Sequence, residues 1–169
     1  ITNFHLPLDR LGLEEGKRYW AYEFWSGQFL GEIPREARKT AYRHPGDAQA
    51  LILRTEKDDL QIGFFGPGVR LLVFREVRPH PWVVGTTFHQ SGGLELGDVR
   101  WNPEGVLVGE LERPPGEDGS IVIGGSPSSR LHGEIEGRRA HVLPGSNGAV
   151  VLPVVSTGSP TRWEVHWKR

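Results

Sequence analysis

Three kinds of side chain in this chain are equipped for chemistry: paired carboxylates, histidines and tryptophans. Asp58-Asp59, Glu14-Glu15 and the Glu134/Glu136 pair supply carboxylates of the type that glycoside hydrolysis places about 5 to 10 Å apart across a sugar. Adjacent residues of a strand point to opposite faces, and Glu134 and Glu136 share a polar face with His and Arg. The expectation is therefore solvated charge, and no catalytic residue is assigned. Of the seven histidines, His132, His141 and His166 fall on expected strands and His89 stands beside a Gly-rich turn. No His-x-His or Glu-x-x-His spacing occurs, so a metal site would need ligands converging from separate strands. No metal and no cofactor is expected. Gly124-Gly-Ser-Pro-Ser-Ser129 lacks the strand-turn-helix setting of a nucleophile elbow, and no helix follows residues 63–68 to cradle a phosphate. The six tryptophans, at positions 20, 25, 82, 101, 163 and 167, are the remaining resource, because a sugar ring stacks its C–H face on an indole. Trp163 and Trp167 alternate with charged residues and read as core. Trp25 and Trp82 are the two candidate ligand-binding residues.

These residues must be held by strands. Tyr-Trp-Ala-Tyr-Glu-Phe-Trp-Ser-Gly-Gln-Phe-Leu-Gly, residues 19–31, is the densest aromatic segment and reads as a hairpin. Trp20, Tyr22 and Phe24 would share one face and Tyr19 and Trp25 the other, with Ser26-Gly27 as a tight turn. Residues 9–16 read as a loop or a single helical turn closed by Gly16, and the charged run 35–39 and His44-Pro-Gly46 as a solvated connection. Apolar blocks at 48–54, 60–65 and 69–77 follow as strands, the last two joined by a Gly66-Pro-Gly68 hairpin loop. Arg78-Pro-His-Pro81 cannot feed a central ladder and marks a boundary. Beyond it strands are expected at 82–89, 94–101, 106–111, 120–123, 130–136, 139–143, 149–155 and 162–167. Glu136-Gly-Arg138 is short enough to turn directly into the next strand. Turn signals every eight to twelve residues, with no helical period and no fixed repeat, predict an all-β chain, an antiparallel β-sandwich of one or two small modules, 1–77 and 78–169.

Twenty Lys and Arg against 21 Asp and Glu give a net charge of -1, without the basic footprint of a nucleic-acid partner. No apolar run approaches the roughly 20 residues of a membrane helix, so no membrane partner is expected. The absence of cysteine removes disulfides and thiolate metal sites and leaves the redox compartment open. There is no Met, even at position 1, and Ile-Thr-Asn-Phe is not the start of a signal peptide. The chain is expected to be a piece of a longer protein.

Leu11-Gly-Leu-Glu-Glu-Gly-Lys-Arg-Tyr-Trp-Ala-Tyr-Glu-Phe-Trp-Ser-Gly-Gln-Phe-Leu-Gly31 resembles the opening of the C-terminal β domain that follows the catalytic (β/α)8 barrel of α-galactosidase (melibiase)-like glycoside hydrolases. Arg78-Pro-His-Pro-Trp-Val-Val-Gly-Thr-Thr-Phe-His89, followed by Gly93-Leu-Glu-Leu-Gly-Asp-Val-Arg-Trp101, is similar to the stretch where the chain of those proteins returns after its first sheet. The resemblance implies an accessory region that packs on a catalytic barrel and supplies neither the acid nor the nucleophile. The implied partners are that barrel, belonging to the same protein, and an oligosaccharide. Two other readings stand beside it: an independent carbohydrate-binding module that depends on Trp25 or Trp82, and a small metal-dependent β-barrel enzyme with converging histidines.

Overall fold

Turn formers interrupt the apolar runs every few residues, and the chain answers with short strands, some paired to the next strand in sequence and as many paired to strands distant in sequence. The computed structural model describes residues 2–33, 41–43, 50–56, 58–64, 69–88, 93–125, 131–158 and 160–167. The connection at 35–39 and 44–46, the loop at 66–68, His89 and residues 126–129 of the Gly-Ser run lie outside the described residues. Every described strand pair is antiparallel, and the strands form four sheets. The architecture is all-β and consistent with a sandwich. Among the described residues, no helix is long and apolar enough to cross a membrane.

The first sheet orders β1 (Thr2–Pro7), β6 (Asp59–Phe64), β5 (Ala50–Glu56) and β4 (Ala41–Arg43) from edge to edge. The second orders β3 (Gln28–Glu32), β2 (Tyr19–Glu23) and β7 (Leu72–Glu76). The third orders β14 (Leu143–Pro144), β15 (Val150–Val155), β11 (Asp118–Gly124) and β8 (Trp82–Thr86). The fourth orders β13 (Arg138–Ala140), β12 (Leu131–Ile135), β16 (Thr161–Trp167), β10 (Val106–Leu111) and β9 (Leu96–Asn102).

Three apolar clusters fill the spaces between successive sheets, so the sheets stack as four layers. Tyr19, Ala21 and Leu30 meet Leu60 and Ile62 between the first and second. Trp20, Tyr22 and Phe29 meet Val84 and Val122 between the second and third. Ile121, Ile123, Leu152 and Val154 meet Leu107, Leu111, Trp163 and Val165 between the third and fourth. Where both faces are covered, β2 is buried at every position and β8 and β11 carry continuous buried runs, whereas β15 at the less covered side of the third sheet alternates as β10 and β16 of the fourth sheet do.

The middle cluster joins residues of the 1–77 segment to residues of the 78–169 segment. Tyr22 is its centre: the ring is fully buried and its hydroxyl donates to the Thr86 carbonyl at 3.1 Å. The ring lies over Gly85, where a Cβ would fall 2.3 Å from Tyr22 Cδ1, so only glycine allows the approach. The β8–β11 register places Val122 opposite Gly85 but Ile123 opposite Val83, leaving Val84 as an extra residue that also turns toward the second sheet. On the far side, the 3-10 turn Ser146–Gly148 grips β3: Ser146 Oγ and Asn147 Nδ2 both donate to the Phe29 carbonyl, at 2.9 and 2.8 Å.

Several details differ from the sequence expectation. The blocks at 60–65 and 69–77 do not pair as a hairpin, because β6 joins the first sheet and β7 the second, and the expected strand 139–143 is divided between β13 of the fourth sheet and β14 of the third. The turn of the aromatic hairpin takes Phe24 to Gly27, with Gly27 at positive φ, because Glu23 gathers the backbone of the tip. The single helical turn is Leu8–Leu11 and is closed by left-handed Gly12, ahead of Gly16.

Candidate functional site

The β2–β3 tip displays Trp25. Glu23, buried at the end of β2, directs its carboxylate back into the turn, where Oε2 accepts the Ser26 N–H at 2.8 Å and Oε1 the Trp25 N–H at 3.3 Å. Gly27 N–H closes the turn on the Phe24 carbonyl at 3.1 Å. A carboxylate bound to two backbone donors fixes a short loop in one conformation. Out of that fixed loop the Trp25 side chain emerges 64% exposed, its ring edge-on to Phe24 at a centroid distance of 5.1 Å. The other candidate, Trp82, stands half-buried at the start of β8. The Arg78 guanidinium lies 3.8 Å over its ring centroid and His80 meets it edge-on at 5.6 Å. One indole face of Trp82 is thus taken by a cation, and the ring packs against two of the apolar clusters.

Beside the hairpin tip opens a cleft of about 890 Å³ between the third and fourth sheets. Thr87, Asp118, Ser120, Glu136, Arg138 and Arg139 are among its lining residues. The tip neighbours one of these residues, since a Cβ on Gly27 would meet Thr87 Cγ2 at 3.5 Å, although no tip residue is itself among the lining residues. Arg138 and Arg139 are placed there by a two-residue turn in which Glu136 and Gly137 both hold positive φ, the geometry that matches the twist of paired strands.

A second polar cluster lies on the outward face of the fourth sheet. Trp163, Val165 and Trp167 point inward, so Glu164 and His166 point out, and on β12 the inward Gly133 leaves His132 and Glu134 outside. The β12–β16 register sets His132 opposite His166 and Glu134 opposite Glu164. The imidazoles stack with centroids 4.5 Å apart and planes 11° apart. Glu134 Oε1 lies 3.5 Å from His132 Nε2 and 3.8 Å from His166 Nε2, while Glu164 Oε2 lies 3.2 Å from His166 Nε2. Sequence reasoning named both histidines and Glu134 separately. It placed Glu164 only on the solvent face of its strand beside His166, and it did not bring the four together, because the register that joins them is written in no local spacing. His141 is exposed in the segment after β13, apart from this group.

Glu95 is a third polar feature that the sequence concealed. It is 3% exposed while its neighbour Leu94 is 84% exposed, the reverse of what hydrophobicity dictates. Thr86 Oγ1 donates to Glu95 Oε1, and Oε2 has no partner among the described residues. Burial, then the charges of Glu23 and Glu95, push the Tyr22 phenol well above its ordinary range. Glu14, Glu15 and Asp58 remain on the surface, as solvated charge does. Compared with known proteins, the chain matches no family model, no curated protein and no solved structure.

Proposed function

We propose that this chain is a non-catalytic accessory β region of an α-galactosidase-like glycoside hydrolase, packing on the catalytic barrel of the same protein and offering a carbohydrate-binding surface. The single observation that carries the reading is Trp25: a largely exposed indole on a loop made rigid by the buried Glu23 carboxylate. Leaving an indole in water forgoes the stabilisation that burial gives a large apolar side chain, about 1.5 to 3 kcal/mol, and fixing it in place adds backbone ordering. A preformed aromatic platform, on a tip whose Gly27 neighbours Thr87 of a cleft lined by hydroxyl, carboxylate and guanidinium groups, suits the alternation of apolar C–H faces and hydroxyls on a sugar. The aromatic hairpin and the stretch from Arg78 to His89 that carry the family resemblance also meet around the middle cluster, through Trp20, Tyr22, Trp82 and Val84.

The test begins with the coding sequence upstream of Ile1. A segment of about 250 residues with strand-helix alternation, as a (β/α)8 barrel requires, is expected, and a start codon directly before Ile1 refutes the accessory role. In the protein so defined, Trp25→Ala is expected to weaken oligosaccharide binding, read by calorimetry across α-galactosides, at unchanged melting temperature. Undiminished binding in that variant removes Trp25 from the surface.

A further inference from the structure

We propose that His132, Glu134, Glu164 and His166 form a binding site for one divalent transition cation of the zinc type on the outer face of the fourth sheet. The proposal is independent of the carbohydrate reading and involves a different face. Its first support is geometric. One donor atom from each of His132, Glu134 and His166 lies within 4.8 Å of the other two, and Glu134 Oε1 is 3.5 and 3.8 Å from the two imidazole nitrogens. Neighbouring ligand atoms around a tetrahedral ion with bonds near 2.0 to 2.1 Å sit about 3.4 Å apart. Small shifts of the donor atoms would close the His–Glu edges around an ion, with the two stacked imidazoles turning toward each other to converge on it; Glu164 Oε2, 3.2 Å from His166 Nε2, lies beside this group of three and would complete the set by a further side-chain rotation.

The second support is an unmet valence. His166 Nε2 is buried and makes no hydrogen bond, although Glu164 Oε2 is only 3.2 Å away, because the contact falls off the hydrogen-bonding direction. A buried imidazole nitrogen with carboxylates beside it and no proton donor or acceptor in line is an unsatisfied group, one of two on β16 with the core-facing Trp163 Nε1, and the one that lies among possible ligands. A cation among the four donors would satisfy it.

The third support is charge. Glu134 and Glu164 face each other across the strands, an arrangement that costs stability for like charges. Arg162 Nη2 bonds Glu164 Oε1 at 2.8 Å and offsets part of that repulsion, leaving Oε2 turned toward His166. Two neutral imidazoles and two carboxylates match a doubly charged ion. All four side chains are partly shielded, between 21% and 32% exposed, which strengthens the attraction relative to open solvent. Two imidazoles select zinc, nickel, cobalt or copper over magnesium or calcium, which prefer all-oxygen sets. Such an ion would clip β12 to β16.

The experiment uses untagged protein stripped with a chelator and titrated with zinc, read by calorimetry and by thermal melting. One ion per chain is expected, with a melting temperature that rises with zinc and does not respond to magnesium. His132→Asn and His166→Asn are expected to abolish both effects, and Glu164→Gln to weaken affinity on the order of 10- to 100-fold, as loss of a supporting carboxylate does elsewhere. His141→Asn, outside the cluster, is expected to bind zinc as the parent does. Melting of each stripped variant shows whether it is folded, and cobalt in place of zinc reports ligand geometry through its visible absorption. No heat and no shift at millimolar zinc overturns the proposal, as does zinc binding that survives the combined His132→Asn and His166→Asn substitution in a folded protein.

Discussion

Gly85→Ala perturbs the place where the two halves of the chain touch most tightly. The new Cβ would lie 2.3 Å from Tyr22 Cδ1 and 2.4 Å from Cε1, more than 1 Å inside the 3.4 to 4 Å of ordinary contact. The ring has nowhere to go: it is fully buried, and its hydroxyl is tied to the Thr86 carbonyl. Overpacking of this kind costs about 1 to 3 kcal/mol, and displacing the hydroxyl from a buried carbonyl adds about 1 kcal/mol. The sum, about 2 to 4 kcal/mol, corresponds to a melting temperature lower by roughly 4 to 16 °C at the scale of a chain of 150 to 250 residues. Gly97→Ala is the matched control, because a Cβ at Gly97 meets nothing within 4 Å. It is expected to stay within about 0.5 kcal/mol of the parent. Denaturant melts followed by tryptophan fluorescence give both values. In a Tyr22→Ala background the same Gly85→Ala change should cost far less, since the overlapping ring is gone. The reasoning is refuted if Gly85→Ala matches the Gly97→Ala control, or if its cost is the same with and without the Tyr22 ring.

The remaining predictions concern the same seam and its edge. The buried Tyr22 phenol ionises well above the ordinary value near 10, so below that pH it is neutral in both states and its contribution is complete. As pH rises past 10 the unfolded chain releases the proton while the folded chain retains it, and stability falls by up to about 1.4 kcal/mol per pH unit. Tyr22→Phe should flatten that alkaline loss in urea melts taken between pH 9 and pH 11, and an unchanged slope would disprove the assignment. Asn147 holds φ at +48° and donates to the Phe29 carbonyl. Asn147→Gly should lose only the hydrogen bond, about 1 kcal/mol, and Asn147→Ala about 1 kcal/mol more for the left-handed backbone; equal losses would show that the backbone is not strained.

Particular strands show where sequence reasoning reached. Trp163, Val165 and Trp167 are buried against charged neighbours that face out, as their alternation dictates, because β16 lies in an outer sheet with one wet face. The expected strand 106–111 and observed β10 (Val106–Leu111) coincide, bounded by Asn102-Pro-Glu-Gly105. Alternation separates the faces of β2 correctly, Trp20, Tyr22 and the following Phe24 on one side and Tyr19 on the other, but both faces are apolar and covered, so the pattern does not say which sheet lies over each. Pattern alone misleads at Leu94 and Glu95, where the bond from Thr86 holds the carboxylate inside and leaves the leucine in water. The polar cluster was legible as separate residues and not as a group, since pairing register emerges only when two strands distant in sequence meet.

The placement of β16 also has a kinetic consequence during synthesis. This strand is the last of the described strands and yet lies inside the fourth sheet, with β10 on one side and β12 on the other. Until residues 161–167 leave the ribosome, β9–β10 and β12–β13 are two hairpins with no bridge between them. Leu107, Leu111 and Leu152 then face the solvent without the Trp163 ring that will cover them. Completion of the outer layer is therefore a late, non-local step, and nascent chains stalled before Thr161 would present sticky apolar faces to chaperones.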